Sequence, residues 1–289
     1  MLAVSVRDLS KRFGPIPVLD KISLDVPAGS IYGLLGVNGS GKTTLLRLLM
    51  GFLRPTGGAA TLLGEPLGQL DGQGRSRLAY VPEQPALYSG MRVREVLAFV
   101  RSLHPRWDSQ AAARYLQLFR LPTERRVGAL STGMRSQLAL AIALACRPEL
   151  LLIDEPAAGL DPIHRRRYLQ LLLEESFTPD RTILFASQDL SLVERACDHV
   201  ALLHEQHIRV AGPMEDVLTS EKRLLVTAPS AAEERLRALP GVRTLRAEGH
   251  GFLITGAVQV AAVRGLPDVK SVQVFDLSLD DLFWSYVED

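Results

Sequence analysis

The sequence predicts an α/β fold in which a mostly parallel sheet, covered on both faces, carries N-terminal antiparallel strands, a helical insert and a small C-terminal α+β module. Three observations predict it. The run Gly36-Val37-Asn38-Gly39-Ser40-Gly41-Lys42-Thr43 fits the phosphate-cradling pattern G-x-x-x-x-G-K-[ST] and lies between an apolar strand and a helix. Unbroken apolar runs at 150–153, 182–186 and 200–203 alternate with helical segments, as strands buried on both faces do. Beyond residue 223 the pattern becomes strand, helix, strand, strand, helix, strand, helix, the order of a split βαβ, ferredoxin-like module.

Taken in order, residues 2–7 and 22–26 alternate apolar and polar side chains and read as two half-exposed strands, with a turn at Gly14-Pro15-Ile16-Pro17 between them. Residues 31–35 read as a short buried strand, and the Leu-rich stretch 44–50 as a helix that stops at Gly51. From about Pro85 to Pro148 the pattern is helical, with segments at 93–103, 109–119 and 131–146 separated by Pro105 and Pro122. The C-terminal module follows a polar linker near 212–222. Its strands are expected at 223–227, 242–247, 251–255 and 269–275, its helices at 231–239, 258–265 and through Leu282 and Trp284. Trp284 and Tyr286 fit a role in covering the end of this small sheet, with a place in an interface as the alternative. A length of 289 residues favours one large domain, 1–215, with an appended unit, 223–289.

Composition narrows the function classes. With 33 basic and 32 acidic residues the formal charge is +1, which gives no field to gather nucleic acid or an anionic membrane, so no nucleic-acid partner is expected. The two cysteines, Cys146 and Cys197, have no metal-ligand spacing and read as reduced core residues. Met1-Leu2-Ala3-Val4-Ser5-Val6-Arg7-Asp8 does not read as a signal peptide, and no apolar run reaches bilayer-spanning length. The chain is expected to be soluble and to borrow any membrane work from a partner.

The chemistry sits in two places. In the glycine-rich run, the glycines let the backbone turn tightly so that successive N–H groups and the helix N-terminus face phosphate oxygens. Lys42 adds a point charge, and Thr43 offers a hydroxyl to Mg²⁺. The second place is Leu150-Leu151-Leu152-Ile153-Asp154-Glu155-Pro156, a buried strand ending in two acids. Carboxylates at a strand's carboxyl end point into the crevice where open α/β sheets bind ligands. Asp154 is placed to hold Mg²⁺, and Glu155 to polarise a water that attacks a γ-phosphate.

A third segment, Leu130-Ser131-Thr132-Gly133-Met134-Arg135-Ser136-Gln137, offers a capped helix start to an anion: Ser131 can cap the helix, and Gly133 allows close backbone approach. In this motif order the chain resembles the ATP-binding subunits of ABC transporters, whose signature sequence reads LSGGQ. Here Thr132 replaces the first glycine and Met134 the glutamine. The resemblance spans residues 1 to about 215 and implies ATP and Mg²⁺ as cofactors. It implies that Ser131, Thr132, Gly133 and Met134 face the γ-phosphate of ATP bound on an opposite subunit, hence a dimer with two composite sites. It further implies nucleotide contacts by Phe13 (stacking on adenine), Gly36, Asn38, Gly39, Ser40, Gly41, Lys42, Thr43, Thr44 and Gln84. Mg²⁺ contacts fall on Thr43, Gln84 and Asp154, and Asp161, in Ala158-Gly159-Leu160-Asp161-Pro162, falls on a loop that crosses the dimer interface.

One departure bears on catalysis. Where the family has a histidine near the γ-phosphate, this chain has Gln188, which can donate a hydrogen bond but cannot become cationic. With Glu155 and Lys42 retained as catalytic residues, the loss is worth about 1–2 kcal/mol, or roughly 5- to 30-fold in rate. The resemblance implies an ATPase dimer, homo or hetero, at the cytoplasmic face of the cell membrane, driving a separate permease docked near Leu87, Tyr88 and Met91. The Met-Arg form of the signature is similar to exporters. Two other readings stay open: a hydrolysis-impaired gating subunit of a heterodimer, marked by Gln188, and a soluble non-transport ATPase of the same family. No residue identifies the cargo, and the appended module, for which the family offers dimer contact or regulation, shows no catalytic constellation.

Overall fold

The computed structural model describes residues 1–156, 158–176, 178 and 181–287. The chain divides into two compact units, Met1–Ile208 and Arg209–Asp289. It begins with two long antiparallel strands, β1 (Leu2–Phe13) and β2 (Ile16–Pro27), joined by a tight turn at Gly14-Pro15. Both strands are longer than their alternation predicts. Ile16 and Pro17, expected in the turn, already pair with Phe13 and Arg12. Then come β3 (Ile31–Leu35), α1 (Lys42–Leu49), β4 (Gly57–Leu62), β5 (Glu65–Pro66), α2 (Gly72–Ser76) and β6 (Leu78–Val81). The helical insert holds α3 (Val93–Leu103), α4 (Ser109–Phe119) and α5 (Thr132–Ala145), close to the segments expected; residues 85–92 form a loop ahead of α3. The unit continues with β7 (Leu150–Asp154), α6 (Pro162–Ser176), β8 (Thr182–Ser187), α7 (Leu190–Ala196) and β9 (His199–His204), and the chain leaves it within β10 (His207–Pro213).

β3, β6, β7, β8 and β9 form the parallel sheet, in the order β9-β3-β8-β7-β6. The antiparallel sheet has the order β2-β1-β4-β5. Between the two lies α1, whose Leu45, Leu46, Leu48 and Leu49 join one buried cluster with Val4, Val6 and Ile22 of the antiparallel strands and Leu34, Leu152 and Leu184 of the parallel ones. The alternate residues Leu151, Ile153, Ile183 and Phe185 are equally buried but lie outside that cluster; α5 packs on β6, and α7 on β3 and β8. Because side chains alternate along a strand, helices on both faces require the unbroken apolar runs seen in the sequence.

In the second unit, the stretch 212–222 is not an unstructured linker. Its middle is α8 (Met214–Thr219), a short helix that buries Val217 and carries Glu215 and Asp216 in its first turn, where acids favour the helix dipole. β11 (Lys222–Thr227), α9 (Glu233–Arg237), β12 (Val242–Glu248), β13 (Gly251–Gly256), α10 (Val260–Arg264), β14 (Ser271–Phe275) and α11 (Leu279–Val287) follow. The sheet is antiparallel with the order β12-β13-β11-β14, the arrangement of a split βαβ module. Leu224, Val226, Leu236, Leu245, Phe252, Ile254 and Val263 form its core. Tyr286 donates to buried Glu221 (3.0 Å) and stacks against Arg243 (3.6 Å), while Trp284 remains 45% exposed.

Candidate functional site

The apolar residues that bury β3, β7 and β8 also aim their carboxyl ends at one place. Leu35 lies level with Ser187, and Asp154 with Ala186, so the glycine-rich loop after β3, the two acids after β7 and Ser187 meet at one edge of the sheet. The loop is shaped by glycines with no substitute. A Cβ on Gly36 would fall 2.4 Å from the Leu203 carbonyl oxygen, and Gly41, at the N-cap of α1, has φ +109. Ser40 Oγ is buried in this cradle with no hydrogen-bond partner among the described residues. A buried hydroxyl left unpaired is costly unless a ligand or water completes it. The orphan hydroxyl and the side-chain-free cradle fit a phosphate. Asn38 and Gly39 are exposed at the loop tip, and Thr44 is half-buried in the first turn of α1.

Lys42 is buried and donates to the carbonyl oxygens of Gly36 (2.8 Å) and Val37 (3.2 Å), with Glu155 Oε1 3.4 Å from its ammonium. Thr43 Oγ1 donates to Asp154 Oδ1 (3.0 Å). A hydroxyl and a carboxylate on adjacent elements are a hard-oxygen donor set that fits Mg²⁺. Sequence reasoning missed Tyr80, whose hydroxyl donates to the other oxygen of the same carboxylate, Asp154 Oδ2 (3.3 Å). Burial pushes the Tyr80 phenol up to about 12, so it remains a donor at neutral pH. The signal was present in Leu78-Ala79-Tyr80-Val81, an apolar run whose strand character places Tyr80 level with Leu152 of β7.

Glu155 has the left-handed φ of +47, uncommon for a residue with a side chain. Its backbone N–H is anchored on the Ala186 carbonyl (2.9 Å), and its Oε2 accepts from Ser187 Oγ (3.4 Å) and from the backbone N–H of Gln188 (3.3 Å). Oε1 accepts no hydrogen bond among the described residues. Burial holds the carboxyl above its usual range, against the opposing pull of Lys42. A partly desolvated carboxylate can accept a proton, and here its Oε1 faces the Lys42 ammonium at 3.4 Å. Such a backbone costs of order 1–3 kcal/mol and persists where its surroundings enforce it, commonly at functional sites. Gln188 therefore reaches Glu155 through its backbone; its side chain is exposed.

Other sequence candidates lie on separate elements. Phe13 ends β1 with its ring 47% exposed and Lys11 Nζ 4.9 Å above it. Gln84 is exposed in the loop after β6. Ser131 caps α5 by accepting from Met134 N–H (3.2 Å), Arg135 donates to the Leu130 carbonyl (2.9 Å) and Thr132 Oγ1 (3.2 Å), and Gly133 is buried. A Cβ at Gly133 would lie 3.3 Å from Leu160, which joins this helix start to the loop bearing Asp161. Asp161 caps α6, accepting from the N–H groups of Ile163 and His164 (both 3.0 Å), and its second oxygen meets His164 Nδ1 (2.5 Å); these bonds hold its carboxyl below the usual range. His164 was also missed, because a histidine three residues into a helix is unremarkable without its capping partner.

A glycine-rich strand-to-helix loop with an invading lysine, beside a Thr–Asp pair and a buried carboxylate at the next strand end, defines a P-loop nucleotide-binding protein. Comparison with known proteins refines this. The ABC transporter family model matches residues 19–158. An uncharacterized ABC transporter ATP-binding protein of Synechocystis sp. is 33% identical over 277 residues, covering 92% of this chain and 77% of that protein. The Nod factor export ATP-binding protein I of Burkholderia orbicola is 35% identical over 224 residues, covering 75% and 73%. The solved structure of an ATP-binding subunit of an ABC transporter superimposes with a TM-score of 0.69 at 28% identity, covering 76% of this chain and 92% of that one. The chain belongs to the ATP-binding subunits of ABC transporters, ATPases coupled to transport that bind ATP with Mg²⁺.

Proposed function

We propose that this subunit acts as a dimer closed around two MgATP and drives a separately encoded membrane permease in export, from the cytoplasmic face of the cell membrane. The observation that carries the reading is the convergence of Lys42, Thr43, Asp154 and Glu155, linked at 3.0 and 3.4 Å, at the mouth of the glycine cradle. On this reading the backbone of 36–41 and Ser40, Lys42, Thr43 and Thr44 hold the phosphates, and the exposed face of Phe13 takes the adenine. Thr43 and Asp154, with Gln84, hold Mg²⁺, which when bound neutralises phosphate charge. Glu155 orients the attacking water and takes its proton, with Lys42 turning from its Oε1 to the phosphate. Ser131, Thr132, Gly133 and Met134 present a capped helix start to the partner's nucleotide, and Asp161 lies on the loop facing that partner.

The Nod factor export relative supports the direction of transport, and among the described residues no helix is long and apolar enough to cross a membrane. The exposed Tyr88, edge-on to Phe99 at 5.7 Å, supports docking of the permease near Leu87, Tyr88 and Met91. Gln188 supports slowed hydrolysis over a dead site, because Glu155 is held by the Gln188 backbone and the substitution leaves that bond in place. Steady-state MgATP hydrolysis by the wild type, Glu155→Gln and Gln188→His tests the reading. The expected result is turnover that rises with protein concentration, disappears in Glu155→Gln and accelerates in Gln188→His. Tight ATP binding without turnover in the wild type and in Gln188→His would replace it with the gating-subunit reading.

A further inference from the structure

The two edges of the C-terminal sheet are unlike. β12 carries Arg243, Arg246 and Glu248 and has a register shift between Val242 and Thr244, devices that keep an edge from pairing. β14 has none of these: Ser271-Val272-Gln273-Val274-Phe275 is uncharged, four of its five residues are exposed, and among the described residues it pairs only with β11. Val274 and Phe275 are each 45% exposed. An unguarded apolar edge is a template for another strand.

The residues around this edge are complementary to their own reverse. Centred on Gln273, an antiparallel pairing with a second copy sets Val272 against the partner's Val274 and Ser271 against the partner's Phe275. It also sets Lys270 against the partner's Asp276. Both charged residues are exposed and neither has an ion-pair partner among the described residues. Val272 already packs on the module's core, so by alternation Val274 stands on the same face, and the pairing would cover it with the partner's Val272. Two opposite-charge pairs, two Val–Val pairs and a symmetric Gln–Gln centre in one register make a self-complementary, isologous contact.

We propose that β14 pairs with β14 of a second copy of this chain, antiparallel and centred on Gln273, joining two four-stranded sheets into one of eight. The contact needs no nucleotide and is separate from the MgATP-dependent closure proposed above. One strand pair is small, so it serves to hold two chains near each other and raise the effective concentration of that closure.

The register gives a sharp test in the full chain without nucleotide. Gln273 faces itself across the two-fold axis, with Cα atoms about 4.5–5.5 Å apart, within disulfide reach. Gln273→Cys is expected to form a disulfide-linked dimer under mild oxidation, while Ser271→Cys, roughly 14 Å from its own copy at ~3.4 Å per residue, is not. A charge pair supplies the second test by sedimentation velocity. Lys270→Asp should weaken the nucleotide-free dimer about fivefold to thirtyfold, and Lys270→Asp combined with Asp276→Lys should restore it. Cross-linking equal in the two cysteine variants, or a charge swap that fails to rescue, overturns the register. No cross-link in Gln273→Cys, while Glu155→Gln still dimerises with MgATP, overturns the edge pairing and leaves the proposed function standing.

Discussion

Asp154, proposed to hold Mg²⁺, is positioned in part by Tyr80, a group outside the proposed metal ligands. One carboxylate oxygen takes the Thr43 hydroxyl and the other the Tyr80 hydroxyl, so the side chain is held in the rotamer that faces the glycine cradle. Removing one hydrogen bond to a charged group costs about 1.5–3 kcal/mol, less where solvent replaces it, and Tyr80 is half-buried. Tyr80→Phe is therefore expected to raise the Mg²⁺ concentration for half-maximal hydrolysis by about three- to tenfold, with kcat at saturating Mg²⁺ much less affected. A Mg²⁺ titration checks this; an unchanged midpoint with a lowered Tm would assign Tyr80 a packing role alone. The sequence disclosed Lys42, Thr43, Asp154 and Glu155 because their motifs fix backbone geometry as well as chemistry. Tyr80 and Ser187 stayed hidden because their partners lie 74 and 32 residues away and are met only through sheet register.

At the scale of elements, the legible parts were those with one dominant signal. The parallel strands announce themselves by unbroken apolar runs, and α5 by its Ser131 cap. β4 did not, since Gly57-Gly58-Ala59-Ala60-Thr61-Leu62 has little intrinsic strand preference and is held extended by pairing with β1. α8 was likewise masked by a polar sequence with a single buried anchor, Val217. Where β6 and β7 begin, Glu149 ties elements together: Arg77 donates to it at 2.8 and 3.0 Å and Arg106 at 2.7 Å. The Arg77 bond first, and then Arg106, hold its carboxyl below the usual range against the opposing effect of burial. The unfolded chain therefore binds this proton at higher pH than the folded one. The resulting stabilisation is full above the ordinary carboxyl pKa of about 4.3 and is lost as pH falls through the lower folded value. With both partners about a third exposed, the contribution is about 1 kcal/mol after solvent screening. Glu149→Gln should lower Tm by roughly 2–4 °C at pH 7. The difference from wild type should shrink below about pH 4; a constant difference across that range would show that packing, not charge, is lost.

For the whole molecule, the arrangement that matters is whether the site of one chain is completed by a second. Lys42 and Glu155 meet at 3.4 Å at the carboxyl edge of the parallel sheet, whereas Ser131 caps a helix of the insert and its side chain is exposed, bonded among the described residues only to its own helix start. If that helix start serves the nucleotide of a second copy, each dimer holds two sites, each built from the cradle of one chain and the capped helix of the other. A chain with Lys42→Ala keeps a good helix start but spoils its own cradle; a chain with Ser131→Arg keeps a good cradle but blocks its partner's. Each variant alone should be inactive. Mixed in equal amounts, half of the dimers pair one with the other, and each of these has one intact site of two, so hydrolysis should recover toward about a quarter of the wild-type rate. The recovery should grow with total concentration as the mixed dimer forms. A site completed within one chain predicts no recovery at any ratio or concentration, so steady-state rates across a mixing series decide between the two arrangements. A Gln188→His version of both variants, if it hydrolyses faster, raises the signal without altering the expected quarter.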